Sequence, residues 1–367
     1  MSQLHAWADD TAALADNAAA RLRTWLLSGP AQLRAGEHAG AVTGSFDQDG
    51  RPRYAYPEIT GYYLHWLADL PPVPGDDLRA RAARAVDWAD RHLRDGQVPT
   101  TRSYLSASGD DDWRNRAIFF FDLAMLLRGL CAAHEAGLVV LPEHAIGRLL
   151  DELNFFITEQ GDITAVRQTG VAVPLPQRWS TLGGAFELKA SSRVQLAAAH
   201  RRLPDNLRKA CERLAAQFEK HIAALPLEML HPTLYFAEGM LVAEPQRWSD
   251  IADLLSRCLA LVDTDGNLPE TEGETESVPR SDIIAQALRI GLLLRGASTP
   301  GAPAASSLTR LAQQLVGRVL PDGTIAFRPD VKEPQANVWC AMFAEQALRW
   351  YARQARGEQL PAAAALV

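Results

Sequence analysis

Four short stretches concentrate the side chains that can move a proton or hold a sugar. The first is Tyr56-Pro-Glu-Ile-Thr-Gly-Tyr62. Pro57 suits a first helical position, and Glu58 places negative charge where a helix dipole is positive. Beside Tyr56 and Tyr62, the same carboxyl can also donate a proton. The second is His231-Pro-Thr-Leu-Tyr-Phe-Ala-Glu238, where helical spacing sets His231, Tyr235 and Glu238 in a polar line on one face. A His–Tyr pair can abstract a proton next to a sugar carboxylate that Arg280, Arg178 or Asn337 neutralises. Its plainer reading is a capping histidine over a core tyrosine.

The third stretch is the aspartate run 110–112 before Trp113, and the fourth is Arg280-Ser-Asp282. Either can supply a catalytic acid, and either can be a helix cap or a partner for the dipole. Glycoside hydrolysis needs two carboxyls across the scissile bond, one with a raised pKa. The candidate catalytic residues are therefore Glu58, Asp112 and Asp282, with His231 and Tyr235 for proton abstraction. Aromatic faces and planar polar groups suit sugar rings. Tyr56, Tyr62, Trp113, Trp179 and Trp339 are expected to stack on substrate. Arg116, Arg178, Glu187, Glu238, Arg280 and Asn337 are expected to hold hydroxyls. Asp122, inside Phe119-Phe-Phe-Asp-Leu, needs a partner or a shifted pKa, and a structural salt link is the expectation. The acidic run Glu270–Glu276 reads as solvated charge. Gly-rich phosphate loops, serine-nucleophile elbows and HExxH pairs are absent, which removes nucleotide hydrolysis, esterase triads and zincin chemistry.

Composition adds bounds. The 367 residues are 47% hydrophobic and 22% charged, enough for a substantial core, and the net charge of -7 exerts no pull toward nucleic acid. Four cysteines, Cys131, Cys211, Cys258 and Cys340, follow no metal or disulfide spacing and read as free thiols in a reducing compartment. The first twenty residues lack a basic region before an apolar core, and no stretch reaches the ~18 apolar residues of a membrane span. A cytoplasmic location is expected, with no cofactor, no metal and no membrane partner.

The elements that must position these residues alternate in type. Amphipathic runs over Ala8–Ser28, Asp77–Leu93, Pro142–Gln160, Pro204–Leu225, Gln246–Val262 and Ser306–Leu320 carry one apolar stripe each. Between them lie runs that are apolar nearly all round: Tyr56–Leu67, Asn115–Ala133, Thr181–Ala199, Pro232–Val242, Ser281–Leu294 and Ala336–Tyr351. The first kind belongs outside and the second inside. A period of roughly 50 to 65 residues implies stacked helical hairpins. Six of each predict an all-α (α/α)6 toroid over residues 1–355, with short β-hairpins in the loops on one face and a flexible Ala-rich tail over 356–367. Extended pieces are expected at Val42–Phe46 and Gly161–Val166, and Asp-Gly turns at 49–50, 95–96, 265–266 and 322–323. Long loops lead into the inner helices, so a cleft is expected at those helices' N-terminal ends.

With these helix pairs, Asp-Gly hairpins and inner-helix starts such as Tyr56-Pro-Glu58 and His231-Pro-Thr-Leu-Tyr235, the chain resembles the six-hairpin glycosidase group and its toroidal relatives. Those include unsaturated glucuronyl hydrolases, sugar 2-epimerases, glucuronyl C5-epimerases and polysaccharide lyases. The resemblance spans about Ala8 to Tyr351 and implies an enzyme acting on an oligosaccharide or polysaccharide. The expectation is a glycoside hydrolase using inner-helix carboxyls. A uronate lyase or C5-epimerase centred on His231 and Tyr235, and a non-catalytic glycan-binding or scaffold protein, stand as alternatives.

Overall fold

The computed structural model describes residues 2–72, 74–94, 96–106, 109, 111–219, 222–264, 266–271, 279–329 and 336–367, without the side chains of 2–9 and 219. Its helices are α1 (Ser2–Ser28), α2 (Pro57–Asp69), α3 (Leu78–Arg94), α4 (Phe120–Glu135), α5 (Glu143–Asn154), α6 (Trp179–Leu182) and α7 (Glu187–Leu196). There follow α8 (Asp205–Glu219), α9 (Leu230–Ala243), α10 (Trp248–Leu259), α11 (Ser281–Gly296), α12 (Ala305–Arg318) and α13 (Val338–Ala355). Apart from the one-turn α6, the predicted alternation holds. Every residue of α2 from Pro57 to Leu67 and of α4 from Phe120 to Ala133 is buried, whereas α3 and α5 bury one stripe.

The chain forms two compact units, Pro30–Gln217 and a second made of Met1–Gly29 with Phe218–Val367. In the first, α2 packs on α4, α4 on α5 and α7, and α3 on α5. The α2–α4 crossing is set by two glycines. A Cβ on Gly61 would lie 2.3 Å from the Met125 carbonyl oxygen, and one on Gly129 would lie 2.2 Å from the Gly61 oxygen. Only residues without side chains let the two backbones approach this closely. The contact brings the N-terminal turns of both helices together. Two small antiparallel sheets pin those turns: β1 (Tyr54–Ala55) with β2 (Ser103–Tyr104), and β3 (Ala117–Phe119) with β4 (Val166–Gln168).

Three expectations change in this unit. The run 115–133 is not helical from its start, because residues 117–119 form β3; a continuous apolar run cannot by itself distinguish strand from helix. The predicted strand at 161–166 is instead a single bridge, Ile157 to Ile163, with β4 beginning at Val166. The run 181–199 is broken by Gly183 and Gly184, whose φ values of 77° and 148° end α6 before α7 begins. The hairpin near Val42 does form, with bridges Thr43–Ala55 and Phe46–Pro52 around Gly50 at φ 74°.

In the second unit α13 packs on α1, α11 and α12, and α11 on α9, α10 and α12. Its core holds the ion pair Arg289–Glu238 at 2.7 Å, both side chains fully buried. Arg289 also donates to Gln346 Oε1 at 3.0 Å and to the Val367 backbone oxygen at 2.8 Å. The tail expected to be flexible is therefore docked: Leu366 and Val367 are fully buried, and Gln346 bonds both Ala365 and Val367. Its apolar ends and the polar groups of α11 and α13 outweigh what an Ala-rich composition suggests.

Candidate active site

In the first unit, three carboxyls sit at the N-terminal turns of three buried helices. Glu58 is the second residue of α2, Asp122 the third of α4 and Glu187 the first of α7. The start of α2 is fixed by the Thr60 hydroxyl, which donates to the Tyr56 carbonyl at 2.8 Å and accepts from the Val42 N–H at 2.9 Å. The start of α4 is fixed by Phe120 N–H to the Ala165 carbonyl at 3.0 Å, and Thr101 N–H to the Ala117 carbonyl at 2.7 Å brings Thr101 alongside. The three carboxyls are 8%, 4% and 2% exposed respectively.

Their surroundings differ. Burial pushes all three carboxyls up. For Glu58 this is opposed by hydrogen bonding to Tyr56, by the Lys189 ammonium, and by Tyr62 and Asp122, all of which favour its charged form. Burial holds Asp122 well above the usual carboxylate range, and the charge of Glu58 adds to this, against a hydrogen bond from Thr101. Burial alone does the same to Glu187. Neither Glu187 oxygen, nor Asp122 Oδ2, has a hydrogen-bond partner among the described residues. Two carboxyls in hydrogen-bond contact cannot both ionise in so dry a place. The pair therefore favours sharing one proton, and burial pushes Asp122 and Glu187 well above the usual carboxylate range while Glu58 is raised against several opposing contacts. Burial also keeps the Tyr56 phenol well above its ordinary value, so it remains a donor. The salt link expected for Asp122 is replaced by this carboxyl pairing.

Aromatic rings lead outward from the cluster. Trp179 packs edge-on against Phe186 at 4.8 Å, and Phe186 meets Phe121 at 6.0 Å. Tyr104, Tyr54 and Tyr56 form a second series, at 5.2 and 5.9 Å. Trp113 is partly exposed, with the Arg114 guanidinium 4.6 Å over its ring. Arg116 is exposed and reaches the Val171 carbonyl at 3.4 Å, while Arg178 is the exposed N-cap of α6.

Asp112 does not suit the role of acid. It caps a short 3-10 helix, accepting from Arg114 N–H at 3.0 Å and from the Tyr104 hydroxyl at 2.6 Å, with Arg102 at 3.5 Å. Burial opposes its charge, but these donors outweigh that and hold its pKa below the usual range. Its neighbour Asp110 lies outside the described residues.

The second unit assembles a different group. His231 Nδ1 is 2.7 Å from Gln286 Oε1 and 3.7 Å from Asp282 Oδ2, and the rings of His231 and Tyr235 are 4.4 Å apart. Arg280 grips Asp282 with two bonds, at 3.1 and 2.6 Å, and Glu270 with a third at 2.7 Å; Trp339 Nε1 reaches Asp282 at 3.3 Å. Burial opposes its charge, yet Arg280 and His231 hold Asp282 below the usual carboxylate range, so it is a fixed anion and not a proton donor. Asn337 serves as the N-cap of α13, accepting from Cys340 N–H at 2.9 Å. Glu238, expected to hold a hydroxyl, is spent on Arg289 in the core. Of the run after Glu270, residues 272–278 lie outside the described residues.

Sequence reasoning missed Lys189, Thr101 and Gln286. Their types are unremarkable in apolar helical runs, and their importance comes from what they face. All four cysteines are buried and free. Among the described residues no His, Cys, Asp and Glu group is arranged to hold a metal, and no helix is long and apolar enough to cross a membrane.

No family model matches the chain, and no curated protein matches it by sequence. Solved structures do. An unsaturated glucuronyl hydrolase specific for heparin aligns over 95% of this chain and 98% of its own, with a TM-score of 0.62 at 12% identity. A cellobiose 2-epimerase from Spirochaeta thermophila DSM 6192 aligns over 92% and 96%, with a TM-score of 0.65 at 14% identity. A type II terpene cyclase from Scytonema, in complex with geranylgeranyl dihydroxybenzoate, aligns over 95% and 99%, with a TM-score of 0.58 at 12% identity. The chain thus has the all-α fold of the six-hairpin (α/α) toroids, with small β-hairpins in its loops, and no single family among them is singled out.

Proposed function

We propose that the protein is a carbohydrate-active enzyme that hydrolyses a glycosidic bond in an oligosaccharide or polysaccharide. The observation that carries this reading is the group of three buried carboxyls, Glu58, Asp122 and Glu187, at the N-terminal turns of α2, α4 and α7. Hydrolysis needs a neutral carboxyl to protonate the leaving oxygen and an ionised one to act on the anomeric carbon or on water. In this reading Glu187, buried and with neither oxygen hydrogen-bonded among the described residues, keeps its proton and passes it to a glycosidic oxygen. Glu58 is ionised beside Lys189, and Asp122 holds it in place by donating its proton. The glycosidic C–O bond breaks as the Glu187 proton reaches the leaving oxygen. Glu58 supplies the nucleophile or draws a proton from the attacking water. Trp179 and the Tyr104–Tyr54–Tyr56 series offer faces on which sugar rings can stack.

The similarity to sugar-processing toroids supports the substrate class, but a terpene cyclase shares the fold, so the carboxyls and not the fold carry the argument. The buried free thiols suit a reducing compartment, and a cytoplasmic location belongs to the same proposal. The test is release of new reducing ends from a panel of neutral and uronate-containing oligosaccharides. Glu58→Gln and Glu187→Gln are each expected to lower the rate by about 10²–10⁴; full activity in either variant rejects its role.

A second reading places proton abstraction at His231. Its Nδ1 faces Gln286 Oε1, which favours the tautomer whose Nε2 is basic. Against it, the arginine that would neutralise a uronate carboxylate, Arg280, already grips Asp282 and Glu270. An unsaturated, ultraviolet-absorbing product, or exchange of a sugar C–H for deuterium without cleavage, would favour this reading.

A further inference from the structure

Hydrolysis at Glu187 requires a sugar to reach it, yet both Glu187 oxygens and Asp122 Oδ2 are sealed from solvent in this conformation. Something beside the cluster must therefore move. The segment between β4 and α7 is built to do so. No residue from Val166 to Ala185 is buried, although Ala165 and Phe186 on either side are 4% and 5% exposed. Both roots stand at the carboxyls. Ala165 accepts the Phe120 N–H that starts α4, and Phe186 directly precedes Glu187. The roots also meet, since a Cβ on Gly183 would lie 3.6 Å from that of Ala165. The excursion is thus an Ω-shaped loop with a closed neck, in which few buried contacts oppose opening.

Inside the loop a rigid piece hangs on a hinge. The Thr181 hydroxyl donates to the Pro176 carbonyl at 2.6 Å and accepts from the Arg178 N–H at 3.2 Å, which ties Pro176 to α6. The far root is held to β4 by the Gln168 amide, which bonds the N–H and the carbonyl of Val173 at 2.8 and 2.9 Å. Gly183, at φ 77° and ψ −179°, occupies backbone space open to glycine alone, and Gly184 has φ 148°. Among the described residues beyond their chain neighbours, nothing lies closer than 3.6 Å to either would-be Cβ. Unlike Gly61 and Gly129, these glycines serve backbone freedom and not close packing. Trp179 closes the piece over its own root, edge-on against Phe186 at 4.8 Å, with Phe121 6.0 Å behind. We propose that residues 174–182 form a gate, hinged at Gly183–Gly184 and latched by Trp179 on Phe186, whose opening admits a glycan to Glu187.

The gate's purpose rests on the hydrolase reading, but its motion can be tested without a substrate. In Ala165→Cys/Gly183→Cys the 3.6 Å separation suits a disulfide, whose Cβ atoms stand about 3.5–4.5 Å apart. The four native cysteines are buried and do not compete. The probe is a water-soluble carbodiimide with glycine ethyl ester, which amidates protonated carboxyls. Peptide mass spectrometry reads it at Glu187 and, as a control, at the exposed Glu159. Glu187 labelling is expected to be lost in the oxidised protein and to return on reduction, with Glu159 unchanged. A cysteine at position 183 is strained in both states, so the comparison is made within the one variant. Should that variant not fold, Trp179→Ala alone decides: Glu187 labelling should rise roughly tenfold over wild type as the ring contact is lost. Equal labelling of Glu187 in oxidised and reduced protein, or in Trp179→Ala and wild type, overturns the gate. Gated labelling with no glycan cleaved keeps the gate and removes the hydrolase. Cleavage at one rate in the oxidised and reduced protein keeps the hydrolase and removes the gate.

Discussion

Replacing Glu187 with glutamine tests the electrostatics of the site without requiring a substrate. The side chain is 2% exposed and neither oxygen has a partner among the described residues. Burial holds its folded-state pKa well above the ordinary glutamate value of 4.5. A group with a raised folded pKa contributes fully below the unfolded value, and that contribution is lost as pH rises through the folded one. Between the two, folding takes up one proton, so wild-type stability falls by about 1.4 kcal/mol per pH unit from this residue. Glutamine has the same shape and no proton to lose, so this slope is absent. The amide does bury an N–H₂ group without a partner, a penalty of about 1–3 kcal/mol that does not vary with pH. Glu187→Gln should therefore be the less stable protein near pH 4.5 and become the more stable one roughly one to two pH units higher, the ratio of the penalty to the slope. The assay is urea unfolding by near-ultraviolet circular dichroism at half-unit steps from pH 4 to 8.5. A difference between the two proteins that stays constant over this range, or that grows in favour of wild type, refutes the claim that Glu187 is held neutral.

Other expectations follow from the same geometry. Gly61→Ala drives a methyl into the Met125 carbonyl, and backbone cannot swing aside; a loss of about 3 kcal/mol is expected in unfolding experiments, together with loss of turnover as Glu58 and Asp122 separate. Arg289→Met strands the buried Glu238 carboxylate and should cost about 3–5 kcal/mol, most of which returns in Arg289→Met/Glu238→Leu. Asp112→Ala removes a cap and should cost about 1 kcal/mol at neutral pH. Because the Asp112 pKa is lowered on folding, that contribution is present above the unfolded value and disappears as pH falls through the folded one. Turnover on a cleaved glycan should survive this change, which separates a capping aspartate from a catalytic one.

The repeating architecture was legible because burial acts on whole helices. A segment apolar all round must be enclosed, and six such segments alternate with six striped ones along the chain. Glu58 could be read from its neighbours, since Pro57 and the dipole mark a helix start whatever lies opposite. Asp122 could not. Its apolar surroundings announced a buried carboxyl needing a partner, but the partner comes from another helix, at a crossing that depends on Gly61 and Gly129. The expected salt link is in fact a second carboxyl. Lys189 was invisible for the same reason, being one polar letter in a buried helix. Helical spacing placed His231 and Tyr235 together correctly, but it carried Glu238 onto the same line when depth along α9 puts it in the core beside Arg289. The tail was misjudged because alanine content says nothing of the Leu366 and Val367 that follow it.

The central claim is that water is added across a glycosidic bond under the control of Glu58 and Glu187. The most direct measurement is mass spectrometry of products formed from an oligosaccharide panel in ¹⁸O-labelled water. The account predicts a shortened sugar carrying one ¹⁸O at its new reducing end, formed by wild type and lost in both Glu58→Gln and Glu187→Gln. Products lacking the label, or labelled products formed equally well by both variants, would contradict it.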